Sequence, residues 1–169
     1  IKLEADMLFT SNTDWWWNHL HQYNMIFSYH VRCYRDTIIE HTPYRKLFQT
    51  NNLPDVYNGL TYFRKSRQAQ TFYNLCKSIM LNWSIVRNNF LINCHDKQPS
   101  TDVVYALALK IQDPLNELCV KYDWFNFMHN KNAVNGLTRA FINDQYLCPM
   151  QIDENVYVGG YKQSRIFHY

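Results

Sequence analysis

The sequence predicts an α/β protein. Short apolar runs with strand character alternate with stretches of helical period, and turns rich in Pro, Gly, Asn and Asp separate the two. The composition is that of a folded chain: of 169 residues, 47% are hydrophobic and 18% charged, which excludes a disordered protein. The length fits one domain spanning residues 1–169.

Taken in order, residues 1–9 read as a strand, apolar at both ends. Thr13 is placed to cap a short helix from Asp14 that carries Trp15, Trp16, Trp17 and Leu20. Met25 to Val31 reads as a second strand, and Pro43 opens a short helix over Tyr44 to Gln49. Leu53-Pro54-Asp55 turns the chain into a strand from Val56 to Phe63. Within it, Asn58-Gly59 marks a bulge or the close approach of a ligand. Ser66 caps a helix whose apolar residues Ala69, Phe72, Cys76, Ile79 and Trp83 recur three and four apart. After a polar loop over His95 to Ser100, Ser100 or Asp102 caps a helix from Val103 to Ile111. Asp113-Pro114 breaks that helix, and Leu115 to Val120 continues in a new direction. Asn130 to Gly136 is a loop, Val156 to Val158 a strand before Gly159-Gly160, and Arg165 to Tyr169 a last strand.

The net charge of +3, with basic residues spread along the chain, is too weak to indicate nucleic-acid or membrane binding. Five cysteines lack any C-x-x-C spacing, which points to neither a zinc site nor a disulfide framework and fits a reducing cytoplasm. There is no signal peptide and no membrane-spanning run. A chain that starts without Met, inside a strand, reads as a piece of a longer protein.

The opening run contains the first chemical signal. In a strand, Glu4 and Asp6 face the same side. Two carboxylates so close repel unless a positive group lies between them. A hard divalent cation, Mg²⁺ or Mn²⁺, suits oxygen ligands; a neighbouring Lys or Arg is the alternative. Other constellations are weaker. His19, His21 and His30 do not share a helix face, and Cys94-His95-Asp96 are neighbours in sequence, which triads rarely are. Three consecutive tryptophans cannot share one helix face, so at least one is exposed; core and interface packing is the favoured account of the run, with an acceptor or partner surface as the alternative.

"KLEADMLF" resembles the acid-x-acid motif of GT-A glycosyltransferases. That resemblance implies a divalent metal held by Asp6 and Glu4 against the diphosphate of a nucleotide-sugar; Glu4 stands where the motif has Asp, so Asp6 is the firmer ligand, and the alternative for Glu4 is donor binding at the ribose or a metal contact through water. "VYNGLTYFRKS" is similar to the Asn-Gly strand of glycogenin-like members, and implies that Asn58 and Gly59 line the sugar pocket. "STDVVYALALK" resembles the segment where these enzymes carry an acid facing the sugar, here Asp102, although Asp at a helix start is also an ordinary cap. "SRIFHY" resembles the segment with the late His that completes the metal set, here His168. Lys162 and Arg165 precede it and are placed to neutralise a diphosphate. The order of the motifs carries the resemblance more than any one of them.

The resemblance implies a GT-A-like mixed sheet flanked by helices. In such folds the base- and ribose-binding half precedes the acid-x-acid strand, so the chain corresponds to the C-terminal part without the N-terminal nucleotide-binding half. The implied activity is metal-dependent transfer of a sugar from a nucleotide-sugar to an acceptor hydroxyl. "EADMLFT" and "RKLF…LPDVYNGLTYFRKS" are also similar to glycosyltransferase-like proteins of large tailed bacteriophages, which implies the host cytoplasm and modified DNA among the acceptors. The alternatives are a non-catalytic GT-A-like binding or assembly module, and a DNA-binding accessory protein, which would carry a clustered basic face.

Overall fold

The structure is a computed structural model that describes residues 1–39, 42–115, 122–129, 141–142, 145–146 and 150–168. Its architecture is mixed α/β. Strands β1 (Lys2–Leu3), β2 (Met7–Leu8), β3 (Met25–Tyr29) and β4 (Arg32–Cys33) come first, with a 3-10 turn Asp14–Trp16 and helix α1 (Trp17–Leu20) between β2 and β3. Helix α2 (Pro43–Thr50), strand β5 (Val56–Phe63) and helices α3 (Arg67–Leu81), α4 (Trp83–Phe90) and α5 (Thr101–Gln112) follow. The chain closes on β6 (Phe127–His129), β7 (Phe141–Ile142), β8 (Gln145–Tyr146), β9 (Met150–Ile152), β10 (Asn155–Val158), β11 (Tyr161–Lys162) and β12 (Ile166–His168).

Two sheets position the site. One is antiparallel, in the order β1-β5-β3. The other is mixed, in the order β2-β12-β6-β4: β12, β6 and β4 run parallel and β2 runs against β12. A meander β9-β10-β11 and a hairpin β7-β8 complete the sheets among the described residues.

Alternation along β3 and β5 sets the layers. Met25, Phe27 and Val56 pack with Phe72, Val104 and Ala108 against the helices. Ile26, Tyr57 and Leu60 pack instead with Phe125, Phe127 and Ile166 of the second sheet. The first sheet is thus a filling between helices and sheet, and each face of it is apolar. Helix α5 is buried from Val103 to Leu109 without a break, as a helix covered on all sides must be. Phe72 at full burial contributes on the order of 1.5–3 kcal/mol.

Caps place the helix starts. The Thr42 side chain accepts from the Arg45 N–H with Pro43 at the first turn, and Ser66 accepts from the Ala69 N–H. Ser100 is the N-cap of α5 without a side-chain bond, and Thr13 likewise precedes its 3-10 turn without one. The helix expected to run through Trp83 stops at Leu81. The Asn82 side chain turns back onto the Ser78 carbonyl, and Trp83 starts a new helix with its indole N–H bonded to the Asp96 carbonyl. Gly159 and Gly160, at φ 56° and 82°, form the two-residue turn between β10 and β11, where both positions need the left-handed region.

The opening strand is the main correction. Residues 1–9 do not form one strand. A turn at Glu4–Asp6 divides it, so that β1 pairs with β5 in the first sheet and β2 pairs with β12 in the second. The second strand ends at Tyr29, because His30 enters the left-handed region at φ 51°. The segments 116–120 and 130–136 read from the sequence lie outside the described residues, as do Cys119 and Cys148. Cys33, Cys76 and Cys94 are free thiols. Among the described residues, no helix is long and apolar enough to cross a membrane.

Candidate metal centre

The turn at Glu4–Asp6 lies where the chain leaves one sheet for the other. The Glu4 N–H donates to the Gly59 carbonyl and so stays with the first sheet (3.1 Å). His168 ends β12 in the second sheet, opposite Met7. The switch of sheets therefore brings the two ends of the sequence into contact. His168 Nε2 lies 3.0 Å from Glu4 Oε2 and 3.1 Å from Asp6 Oδ1. One ligand atom from each of the three residues lies within 4.8 Å of the others. Glu4 and Asp6 converge because the turn folds them onto His168, not because an unbroken strand puts them on one face.

One ring nitrogen with one possible N–H faces two carboxylates, so it can donate to only one of them at a time. The donor set of two carboxylates and an imidazole is that of a small divalent cation. Ligands on one ion with bonds near 2.1 Å stand at most roughly 4 Å apart, so small side-chain rotations close the set. The residues present fit such an ion. His168 is almost fully buried on its ring, with Phe127 at 5.5 Å and His129 at 4.4 Å between centroids, and its Nδ1 has no hydrogen-bond partner among the described residues. Asp6 is the most open of the three.

A cavity of about 170 Å³ adjoins this cluster, lined by Glu4, Tyr57, Gly59, Ser100, Thr101, Asp102, Phe127, His129 and His168. The bulge expected at Asn58-Gly59 is present. Phe27 opposes Thr61 and the next residue, Ser28, opposes Tyr57, so residues 58–60 have no counterpart on β3. The Ser28 hydroxyl donates to the Leu60 carbonyl across the gap (2.7 Å). Residue 59 is closely packed: a Cβ there would stand 2.9 Å from Met7 Cε, the tip of a flexible side chain, and 3.1 Å from the Phe127 ring. The Asn58 amide Nδ2 donates to Glu4 Oε1 (3.2 Å) and orients it.

Asp102 is held on both oxygens. Oδ1 accepts the Asn58 backbone N–H at 2.7 Å and Oδ2 accepts from Arg45 Nη2 at 2.9 Å. It therefore ties the start of α5 to the bulge and is not the cap of its own helix, a position that Ser100 takes. Lys162 is exposed on β11 and does not line the cavity, so the structure does not bring it to the other predicted residues.

Three residues that the sequence did not single out complete the surroundings. Lys2 donates from Nζ to the Asn58 carbonyl and to Asn58 Oδ1, each at 2.6 Å. Burial pushes its pKa down, and the Glu4 and Asp102 carboxylates partly offset that. Arg45 is buried on α2, bonded to Asp102, to Asp55 (3.2 Å) and to the Val56 carbonyl, with its guanidinium over the Tyr57 ring. Burial raises the Tyr57 and Tyr44 phenols well above their ordinary range. His129, at the end of β6 beside His168, is the third. Lys2 had a signal in its i−2 spacing from Glu4; Arg45, on a polar-looking helix, had none. Comparison with protein-family models, curated proteins and solved structures finds no match for this chain.

Proposed function

We propose that the protein is a divalent-cation-dependent glycosyltransferase of the GT-A type, which moves a sugar from a nucleotide-sugar to an acceptor hydroxyl. One observation carries this reading: Glu4, Asp6 and His168, the residues that the resemblance assigns to a metal, converge within 4.8 Å beside a cavity that also holds Gly59 and Asp102. A bound Mn²⁺ or Mg²⁺ would supply charge stabilisation for a departing diphosphate. Glu4, Asp6 and His168 would hold it. Asn58 orients Glu4, and Gly59, on the wall of the cavity, lets the Met7 and Phe127 side chains pack against its backbone beside the cluster. Asp102 sets the position of Asn58 through its backbone N–H.

A second reading, a GT-A-like module that binds without catalysis, is favoured by Asp102, whose two oxygens are both engaged by protein groups. Calorimetric titration with Mn²⁺ and turnover of a panel of nucleotide-sugars separate the two. The enzyme reading expects metal binding, metal-dependent release of nucleotide from one donor, and loss of both in Asp6→Asn. Metal binding without turnover leaves the binding module. Absence of both metal binding and turnover in a folded protein removes the enzyme reading and also leaves the binding module.

A further inference from the structure

A larger cavity lies away from the metal cluster. It measures about 470 Å³, within the size range of ligand sites, and its wall is part aromatic and part polar. Trp15 and Trp124 stand 5.4 Å apart between ring centroids, inclined by 55°. Trp16 is buried beneath them against Phe125 (5.3 Å). His19 also abuts both Trp15 and Trp124, so the Trp15 ring is held on several sides and yet keeps 46% of its surface open. An indole fixed in this way and left exposed is a ready stacking face.

The polar part of the wall is built as firmly. Arg165 donates to Asp36 (3.1 Å), to the Asp123 carboxylate (3.1 Å) and to the Asp123 carbonyl (3.3 Å). A guanidinium has five N–H groups, so these bonds leave two for a ligand hydroxyl. Asp123 is exposed and offers acceptor positions, and Ser11 and Ser164 add hydroxyls to the rim. Two carboxylates answer one guanidinium, so the wall has no excess positive charge and does not favour a phosphate or a nucleic-acid backbone. A flat apolar face beside hydroxyl, carboxylate and guanidinium groups matches an uncharged ring that has an apolar C–H face and a rim of hydroxyls.

The position separates this cavity from the metal cluster. Asp123 and Trp124 precede β6, and Ser164 and Arg165 precede β12. These strands are parallel, and His129 and His168 lie at their other ends. Three residues of extended chain put the two sites about 10 Å apart along β12, at opposite ends of the two parallel strands.

We propose that the Trp15–Trp124 cleft is a saccharide-binding site that acts without metal. It holds a neutral glycan by stacking on Trp15, with hydroxyls bonded to Asp123 and Arg165. The proposal does not depend on the metal cluster being catalytic. In chelator, linear oligosaccharides of glucose, galactose, mannose and N-acetylglucosamine are titrated into the protein, and the indole N–H resonances of its five tryptophans are followed. At least one oligosaccharide is expected to shift Trp15 and Trp124 and leave Trp83, whose indole is bonded to Asp96, unmoved. Trp15→Ala and the surface change Asp123→Ala are each expected to weaken that binding about tenfold or more while thermal unfolding stays cooperative. Asp6→Asn is expected to bind as the wild type does. The proposal is overturned if no oligosaccharide shifts Trp15 at millimolar concentration, if single-stranded DNA shifts it instead, or if Asp6→Asn abolishes binding.

Discussion

Replacing Asp102 by Asn tests whether this acid is a structural tie. The carboxylate accepts from Arg45 on one oxygen and from the Asn58 N–H on the other. An amide of the same shape has one acceptor oxygen, so its NH₂ must face either the guanidinium or the backbone N–H. One bond to a charged acceptor is lost, worth about 1.5–3 kcal/mol, and two donors are left facing each other. Arg45 keeps Asp55 and the Val56 carbonyl, so its charge stays paired. The cost therefore falls below the roughly 3–5 kcal/mol of a fully broken buried ion pair. We expect Asp102→Asn to lower stability by about 2–3 kcal/mol in urea unfolding followed by tryptophan fluorescence. For a chain of this size that is a fall in Tm of about 4–12 °C. Arg45→Met, which strands two carboxylates, is expected to cost more, about 3–5 kcal/mol. An Asp102→Asn protein within about 0.5 kcal/mol of wild type would refute the tie and return the carboxylate to chemistry.

Gly59→Ala drives a methyl into Met7 Cε and the buried Phe127 ring, and should cost about 1–3 kcal/mol in the same unfolding assay; it should also weaken Mn²⁺ binding, because Met7 and Phe127 flank the ligand residues. Burial raises Tyr44, Tyr57 and Tyr105 above the ordinary 10.0 and pushes Cys76 up from 9.0 to about 12, so ionisation favours the unfolded chain. The contribution of these four groups is constant below about pH 9 and is lost as pH rises beyond it; a stability curve that stays level above the ordinary cysteine and tyrosine values would contradict this. Thiol labelling of the native protein at about pH 8 should reach the half-buried Cys94 well before Cys76, whose thiol is both buried and held protonated; mass mapping of the labelled peptides decides it.

Local chemistry made much of this fold legible. Thr42-Pro43, Ser66 and the Gly159-Gly160 pair each act within a few residues, so the helix starts and the turn they set could be read without knowing what packs on them. Strand β5 was readable over its whole length, including the bulge, because Pro54 bounds it and Asn58-Gly59 interrupts it. The failures involve partners distant in sequence. "IKLEADMLF" is apolar at both ends, and nothing local says that one end pairs with Thr61 and the other with Phe167. Arg45 reads as a surface residue because its two carboxylates come from a loop and from another helix. The resemblance grouped Glu4, Asp6 and His168, which do converge, whereas the turn that makes them meet was not legible.

That reason bears on how the centre would work. Glu4 is tied to the first sheet through Gly59, and His168 is an integral part of the second. Asp6 sits on the turn between them, more than half exposed. An ion bound by all three would link the sheets as well as neutralise two carboxylates. Part of its binding free energy would then go into ordering the turn, which lowers apparent affinity; the rest would appear as stability, by RT ln(1 + [L]/Kd). The same linkage runs in reverse. The Asn58 bulge positions Glu4, Asp102 and Lys2 position Asn58, and Arg45 positions Asp102. A change at Arg45 would reach the metal without touching it, through a continuous set of hydrogen bonds from α2 to the turn. The Glu4, Asp6 and His168 cluster is thus the outer end of a polar network, and the strength with which it would hold a cation would be set in the core of the protein.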